Sequence, residues 1–229
     1  MKKIFLIITI LAVFASSGYA QHKYKVSLGI NAGYSIPVTE LANVYKPDFS
    51  GEFNVGYVLT PEIELLLTTG YSKFTFRNEN LNDDLAQLSP TTTMNDVWTS
   101  SIIPITAGIR YKFDKITQTI VPYGTAELGA YITNFDKRLG GNIIITGSQI
   151  TSNSAVKESQ TGFGLSLGVG TFFEVSPRLS VDVVVKYNFV KSDFVKDYTI
   201  TKDTLAPVNV AGISTGMYLT TRAGITYRF

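Results

Sequence analysis

From Val26 onward, apolar and polar positions alternate with the two-residue period of a β-strand whose faces meet different surroundings. The first run sets Val26, Leu28, Ile30, Ala32, Tyr34 and Ile36 against Ser27, Gly29, Asn31, Gly33 and Ser35. The same pattern predicts a second strand over Phe53–Leu59, a third over Ile63–Tyr71 and a fourth over Ile103–Phe113, with Pro104 on its polar face. A fifth covers Ile120–Thr133, with Ala126, Leu128, Ala130 and Ile132 opposite Thr125, Glu127, Gly129 and Tyr131. Two more span Phe163–Val175 and Leu179–Phe189, and the last runs from Met217 to Phe229. Helical spacing is scarce; Thr39–Val44 is the one stretch read as a helical turn.

These eight runs, roughly 9–14 residues each apart from the shorter second, match the length that a tilted strand needs to cross a bilayer. Their connections alternate in length. Thr60-Pro61-Glu62, Asp114–Thr119 and Ser176-Pro177-Arg178 are tight; Pro37 to beyond Ala42, Arg77–Val97, Asn134–Ser159 and Lys191–Thr215 are long and polar. The expectation is an all-β fold, an eight-stranded antiparallel up-and-down transmembrane β-barrel with short periplasmic turns and long extracellular loops.

The N-terminal segment stands apart. Met1-Lys2-Lys3 precedes an apolar run from Ile4 to Phe14, and Gly18 and Ala20 occupy the two positions that a signal peptidase inspects. Residues 1–20 therefore read as a cleaved signal peptide and residues 21–229 as the barrel domain; the apolar run is too short for a membrane-spanning helix. Cleavage removes Lys2 and Lys3 and leaves 18 basic against 18 acidic residues.

Composition sharpens this picture. The 229 residues are 45% hydrophobic and only 17% charged, with 14 Phe, 13 Tyr, 19 Gly and a mean hydropathy of +0.14. A soluble domain typically carries about 25% charged residues. The second strand face holds Gly, Ser, Thr and Asn where a water-facing sheet carries many Lys and Glu, which suits the crowded interior of a narrow barrel. A soluble periplasmic barrel that binds a ligand, with the apolar set inside, is the competing arrangement. Tyr57, Tyr111, Phe113, Phe173, Tyr227 and Phe229 near the turns, and Tyr34, Tyr71, Tyr187 and Phe189 near the loops, read as two interfacial girdles. The formal net charge of +2 carries no basic excess for nucleic acid.

Charges assigned to the inner face balance. Glu52, Glu64, Glu127, Glu174 and Asp182 oppose Arg110, Lys112, Lys186, Arg222 and Arg228. Unpaired charges in so narrow a space cost several kcal/mol, so these ten residues are expected to form a salt-bridged plug. A polar path for ions or protons is the functional alternative. Glu64, Arg110, Lys112, Glu174 and Arg228 fall near the periplasmic mouth, with Glu127, Asp182, Lys186 and Arg222 nearer the middle.

Candidate chemistry is sparse. The absence of Cys excludes disulfides, thiolate metal sites, Cys nucleophiles and a lipoprotein anchor. The one His, His22, falls just after the cleavage site, so a His-assisted lipid-modifying enzyme and a His metal centre both lose their key residue. Glu79, Asn80, Asn82, Asp83 and Asp84 offer oxygen ligands without the spacing of a calcium loop and read as a solvated loop. No catalytic residues, metal or cofactor are assigned.

The segment ending Ala20-Gln21, the Tyr24–Tyr34 strand, Pro122-Tyr123-Gly124 and the closing Ala223–Phe229 strand together resemble Bacteroidota-type outer-membrane β-barrel domain proteins, the group that includes PorT-like proteins. The resemblance implies the outer membrane of a Gram-negative bacterium, outer-membrane lipid as surroundings and the barrel-assembly machinery as partner during biogenesis. Ile225, Tyr227 and Phe229 match the alternating C-terminal signal that machinery reads in such barrels. The lack of catalytic residues and the four long loops, rich in Asn, Thr, Ser and Asp, lead to the expectation of a non-enzymatic role, structural or interactive, with a protein partner at the extracellular loops or periplasmic turns. One alternative is a PorT-like subunit of a secretion or gliding apparatus; another is a carrier of a small apolar ligand, which needs a lateral opening and an apolar pocket at one mouth.

Overall fold

The computed structural model describes residues 24–76, 98–138, 141–145, 148–152, 155–195, 198–202, 205–210 and 213–229. Their order is β1 (Val26–Val38), α1 (Glu40–Val44), β2 (Tyr45–Lys46), β3 (Asp48–Val58), β4 (Ile63–Phe76), β5 (Trp98–Lys112), β6 (Ile120–Arg138), β7 (Gly141–Ile145), β8 (Ser148–Ser152), β9 (Ala155–Glu174), β10 (Leu179–Val195), β11 (Tyr198–Lys202), β12 (Leu205–Val210) and β13 (Ile213–Arg228). Eight of these form the barrel in the cyclic order β1-β3-β4-β5-β6-β9-β10-β13, each antiparallel to its neighbours. Closure is completed by β1 on β13: the amide of Lys25 donates to the carbonyl of Phe229 at 3.0 Å, and that of Phe229 to Val26 at 2.8 Å. Closure leaves no strand edge facing lipid, where unpaired backbone groups would go unsatisfied.

Three short turns share one chemistry. In each, a hydroxyl accepts a hydrogen bond from the amide three residues later, which is the first residue of the next strand: Thr60 from Ile63 at 3.1 Å, Thr117 from Ile120 at 3.2 Å and Ser176 from Leu179 at 3.1 Å. Such a bond closes the turn locally and offers the backbone an alternative to continuing the ladder.

At the other end the strands are longer than their sequence pattern predicts. β6 and β9 stay paired up to Arg138 opposite Ala155, and β7–β8 and β11–β12 form two further ladders within segments expected to be loops. The second strand starts at Asp48 rather than Phe53. In Asp136-Lys137-Arg138 and in Lys157-Glu158-Ser159-Gln160 neither face is apolar, so the alternation that marks a strand is missing there. The helical turn expected at Thr39–Val44 is α1. The segment 77–97, with Glu79, Asn80, Asn82, Asp83 and Asp84, lies outside the described residues, as do His22 and residues 1–20 with Gly18 and Ala20, the stretch expected to be a signal peptide.

Apolar side chains cover the outside. Ile30, Tyr34, Leu67, Ile109, Phe163, Val169 and Ile225 are all exposed, whereas Asn31, Glu64, Arg110, Glu127 and Asp182 are buried. Polar residues enter the outward face at Lys73 on β4, Asn134 on β6 and Lys191 on β10, immediately above Tyr71, Ile132 and Phe189, and mark the external limit of the apolar band. Strand five keeps the expected facing, with Thr125, Glu127 and Tyr131 inward and Leu128 outward.

Inward glycines make room for large neighbours. A Cβ on Gly168 would lie 2.7 Å from Cγ of Lys186 and 2.7 Å from Oγ1 of Thr125, and one on Gly170 would collide with the phenol of Tyr123. The Gly-rich face of β9 is therefore the imprint of charged and aromatic side chains crossing the lumen.

Candidate functional site

The lumen is built in layers. At the periplasmic rim, Arg228 Nη1 lies 3.1 Å from Oε1 of Glu174, whose other oxygen pairs with Nζ of Lys115 at 2.5 Å. Above it, Glu64 is held by Arg110 at 3.2 Å, by Lys112 at 3.1 Å and by the Ser27 hydroxyl, which donates to Oε1. The guanidinium of Arg110 lies 4.8 Å from the ring centre of Tyr123 and 4.9 Å from that of Phe172. Stacking between two aromatic faces offsets part of the desolvation of a fully buried cation.

A central quartet follows. Lys186 Nζ donates to both oxygens of Glu52 at 2.8 and 2.9 Å and to Oε1 of Glu127 at 2.7 Å. Oε2 of Glu127 accepts from the Thr106 hydroxyl at 2.7 Å. Arg222 pairs with Glu52 through Nη1 and donates from Nε to Ser50 Oγ at 2.7 Å. Two acids face two bases, all buried, so the layer is neutral within itself. Ion pairs with added hydrogen bonds recover the cost of taking charges from water, whereas one left single does not.

Asp182 corrects the sequence reading. It accepts a hydrogen bond from the hydroxyl of Tyr123 at 2.6 Å and forms no ion pair among the described residues. Its place is the Arg110 layer rather than the middle of the lumen: β10 enters the barrel at Leu179, and Asp182 is only three residues along it. Lys115, in the β5–β6 turn, takes part although the alternation pattern does not reach it.

An apolar layer closes the external side. Leu41 of α1 and Tyr45 of β2 pack with Phe74, Ile102, Tyr131, Val190 and Tyr218, all buried, with Val44 and Phe135 at the margin. The rings of Phe74 and Tyr218 meet edge to face at 5.4 Å. Sequence alternation placed Tyr131 and Tyr218 inward but missed Leu41, Tyr45, Phe74, Ile102 and Val190; extending the alternation one step past Ser72, Pro104 and Asn188 finds three of them. Ile225 and Tyr227 of β13, and Phe229 just after it, are exposed on the outside, with the last two rings 4.8 Å apart.

An apolar band outside a closed antiparallel ring, with neutral charged layers inside it, is the arrangement of a membrane barrel. The model of the family described as outer membrane protein beta-barrel domain matches residues 4–229. The chain belongs to that family. As a family member it resides in the outer membrane of a Gram-negative bacterium, surrounded by lipid. The soluble arrangement is thereby overturned, since its apolar side chains face out. Two solved structures share the fold. Neisserial surface protein A is 16% identical, with 89% of this chain and 97% of that one covered and a TM-score of 0.53. A major outer membrane protein from Thermus thermophilus is 14% identical, with 91% and 100% covered and a TM-score of 0.57. No curated protein matches the chain. Within the family fold, the eight strands pair all the way round the ring, with the β4–β5 ladder interrupted beside Pro104, and Leu41 sits in the apolar layer at the external mouth, where a ligand carrier would need an apolar pocket.

Proposed function

We propose that this outer-membrane barrel is not an enzyme and acts through its external surface, as a structural or interaction protein. The observation that carries the reading is the wall itself. The β6–β9 ladder continues beyond the lipid band to Arg138 and Ala155, raising the β7–β8 hairpin on a hydrogen-bonded stalk, while the lumen beneath is filled with paired charges. Binding groups borne on loops over a rigid scaffold are the usual way such a shape is used. Residues 1–20 serve in this reading as the cleaved signal, with Gly18 and Ala20 at the peptidase, and Ile225, Tyr227 and Phe229 as the motif taken by the barrel-assembly machinery.

The test replaces Gly141–Ser152 by a two-residue Asn-Gly turn. The shortened protein is expected to assemble, and to show the same heat-dependent gel mobility, yet fail to rescue the envelope phenotype of a deletion strain. Full rescue by the shortened barrel would overturn the surface role. A second reading, a PorT-like subunit of a secretion or gliding apparatus, draws support from Ile116, 72% exposed in the periplasmic β5–β6 turn, where a partner can cover it. In that case Ile116→Asp, and not the shortened hairpin, abolishes secretion.

A further inference from the structure

The lipid face of the barrel is unevenly filled. A groove of about 430 Å³ crosses it, with Gly124 and Ala126 of β6 as its floor and Ile109, Tyr111, Leu167 and Val169 on the flanking strands as its lips. It follows the ladder rather than the strands: Ile109, Ala126, Leu167, Tyr187 and Leu219 stand opposite one another in turn across β5, β6, β9, β10 and β13. Four strand spacings make it roughly 19 Å long, and two residues along each strand make it roughly 7 Å wide. Strand tilt inclines it, so that it climbs about 12 Å, most of one leaflet of a hydrocarbon core roughly 30 Å thick. Its low end is at Tyr111, beside the periplasmic end of β5 at Lys112, and its high end is at Leu219, well up β13. No charged residue lines it.

The glycine in its floor is not required by the wall. A Cβ on Gly124 would find its nearest neighbour, the carbonyl oxygen of Gly168, at 3.8 Å, an ordinary contact, whereas a Cβ on the inward Gly108 or Gly129 would meet a backbone oxygen at 2.1 Å. Inward glycines are cleared for the barrel's own side chains; the space over Gly124 is open to the outside. It is continuous with the lipid-facing surface and is reached only through acyl chains. A second barrel presents a convex wall, which so narrow a recess cannot take up.

We propose that the groove holds one acyl chain of a periplasmic-leaflet lipid, extended from Tyr111 to Leu219 with its headgroup at the Tyr111 end, and keeps it while the surrounding lipid exchanges. In a bilayer the gain is packing rather than escape from water: a chain in the groove touches the floor and both lips, whose atoms otherwise lack partners on that side. The site therefore selects chain length and is indifferent to the headgroup.

The protein assembled in vesicles of dipalmitoyl phosphatidylcholine is extracted into a mild detergent and its mass read without denaturation. The expected result is one retained lipid per barrel, a retained fraction at least tenfold lower for Gly124→Leu, whose side chain fills the floor, and no change for Gly51→Leu. Gly51 is an outward glycine of β3, away from the groove, where an added Cβ also has room, 3.6 Å from the ring of Phe49. Phosphatidylglycerol with the same chains is retained equally, and dioctanoyl phosphatidylcholine, too short to span the groove, is not. The proposal is overturned by no retained lipid, by equal retention in Gly124→Leu, by equal loss in Gly51→Leu, or by retention that follows headgroup rather than chain length. A dimer that Gly124→Leu dissolves also overturns it and assigns the groove to a second copy. Heat-dependent gel mobility establishes that each variant is folded; should Gly124→Leu fail to assemble, Ala126→Leu decides on the same terms.

Discussion

Individual side chains in the lumen differ sharply in what they hold. Glu127 satisfies Lys186 and Thr106 at 2.7 Å each, whereas Asp182 meets only a phenol. Glu127→Ala leaves Lys186 with Glu52 as its remaining anion in a layer that is no longer neutral. Breaking one side of a buried pair costs roughly 3–5 kcal/mol, and because Glu52 remains, the expected loss is near the lower end, read as a lowered midpoint for the heat-dependent gel shift in one detergent. Asp182→Asn strips no cation of its partner, and the amide oxygen still accepts from Tyr123. Its expected cost is about 1 kcal/mol, the difference between a charged and a neutral acceptor. Greater damage from Asp182→Asn than from Glu127→Ala would contradict the pairing described. For Glu127→Ala, unchanged stability together with altered conductance would favour an ion path over a plug.

Elements at the two ends of the barrel follow different rules. At the periplasmic end, three turns use the same hydroxyl-to-amide bond, from Thr60, Thr117 and Ser176, to start β4, β6 and β10. Thr60→Ala and Ser176→Ala are each expected to cost about 0.5–1.5 kcal/mol, the net worth of one such bond. The two turns share no partners, so the double variant should show the sum. Urea titration of the barrel in lipid vesicles measures all three; a double variant no worse than either single would show that the hydroxyls are dispensable. At the external end, strands form without an alternating pattern to announce them. Alternation requires that one face meet lipid or a core, and past Phe135 the run Asp136-Lys137-Arg138 carries no apolar face at all. There the backbone ladder alone continues the strands, as in the pairing of Arg138 with Ala155.

For the molecule as a whole, solvent defines the interior. Lipid is outside, so the barrel places its apolar set on the surface and its charges at the centre, the reverse of a soluble protein. Position along the membrane normal therefore governs the cost of an outward charge. Leu167→Arg, on the lipid face of β9, is expected to destabilise the barrel by about 2–4 kcal/mol, whereas Asn134→Arg, at the external limit of the band, should cost no more than about 1 kcal/mol. Equal effects, measured by urea unfolding in vesicles, would show that the apolar band has been set at the wrong height.

Strand number, facing and closure were legible in the sequence because each depends on a local, two-residue period repeated eight times. The list of inward charges was legible for the same reason: Glu52, Glu64, Arg110, Lys186 and Arg222 each stand in the polar phase of their own strand. Which of them meet was not. Glu52 and Lys186 are 134 residues apart, and only the stagger of eight strands around a closed ring brings them within 2.9 Å. That stagger also gives Asp182 to Tyr123 instead of a cation. Tertiary structure alone decided the burial of Leu41 at the external mouth, since in a polar connection it has no periodic neighbour to reveal its face. Its burial follows from an apolar ring at the mouth, assembled from β4, β5, β6, β10 and β13, that the wall by itself leaves uncovered.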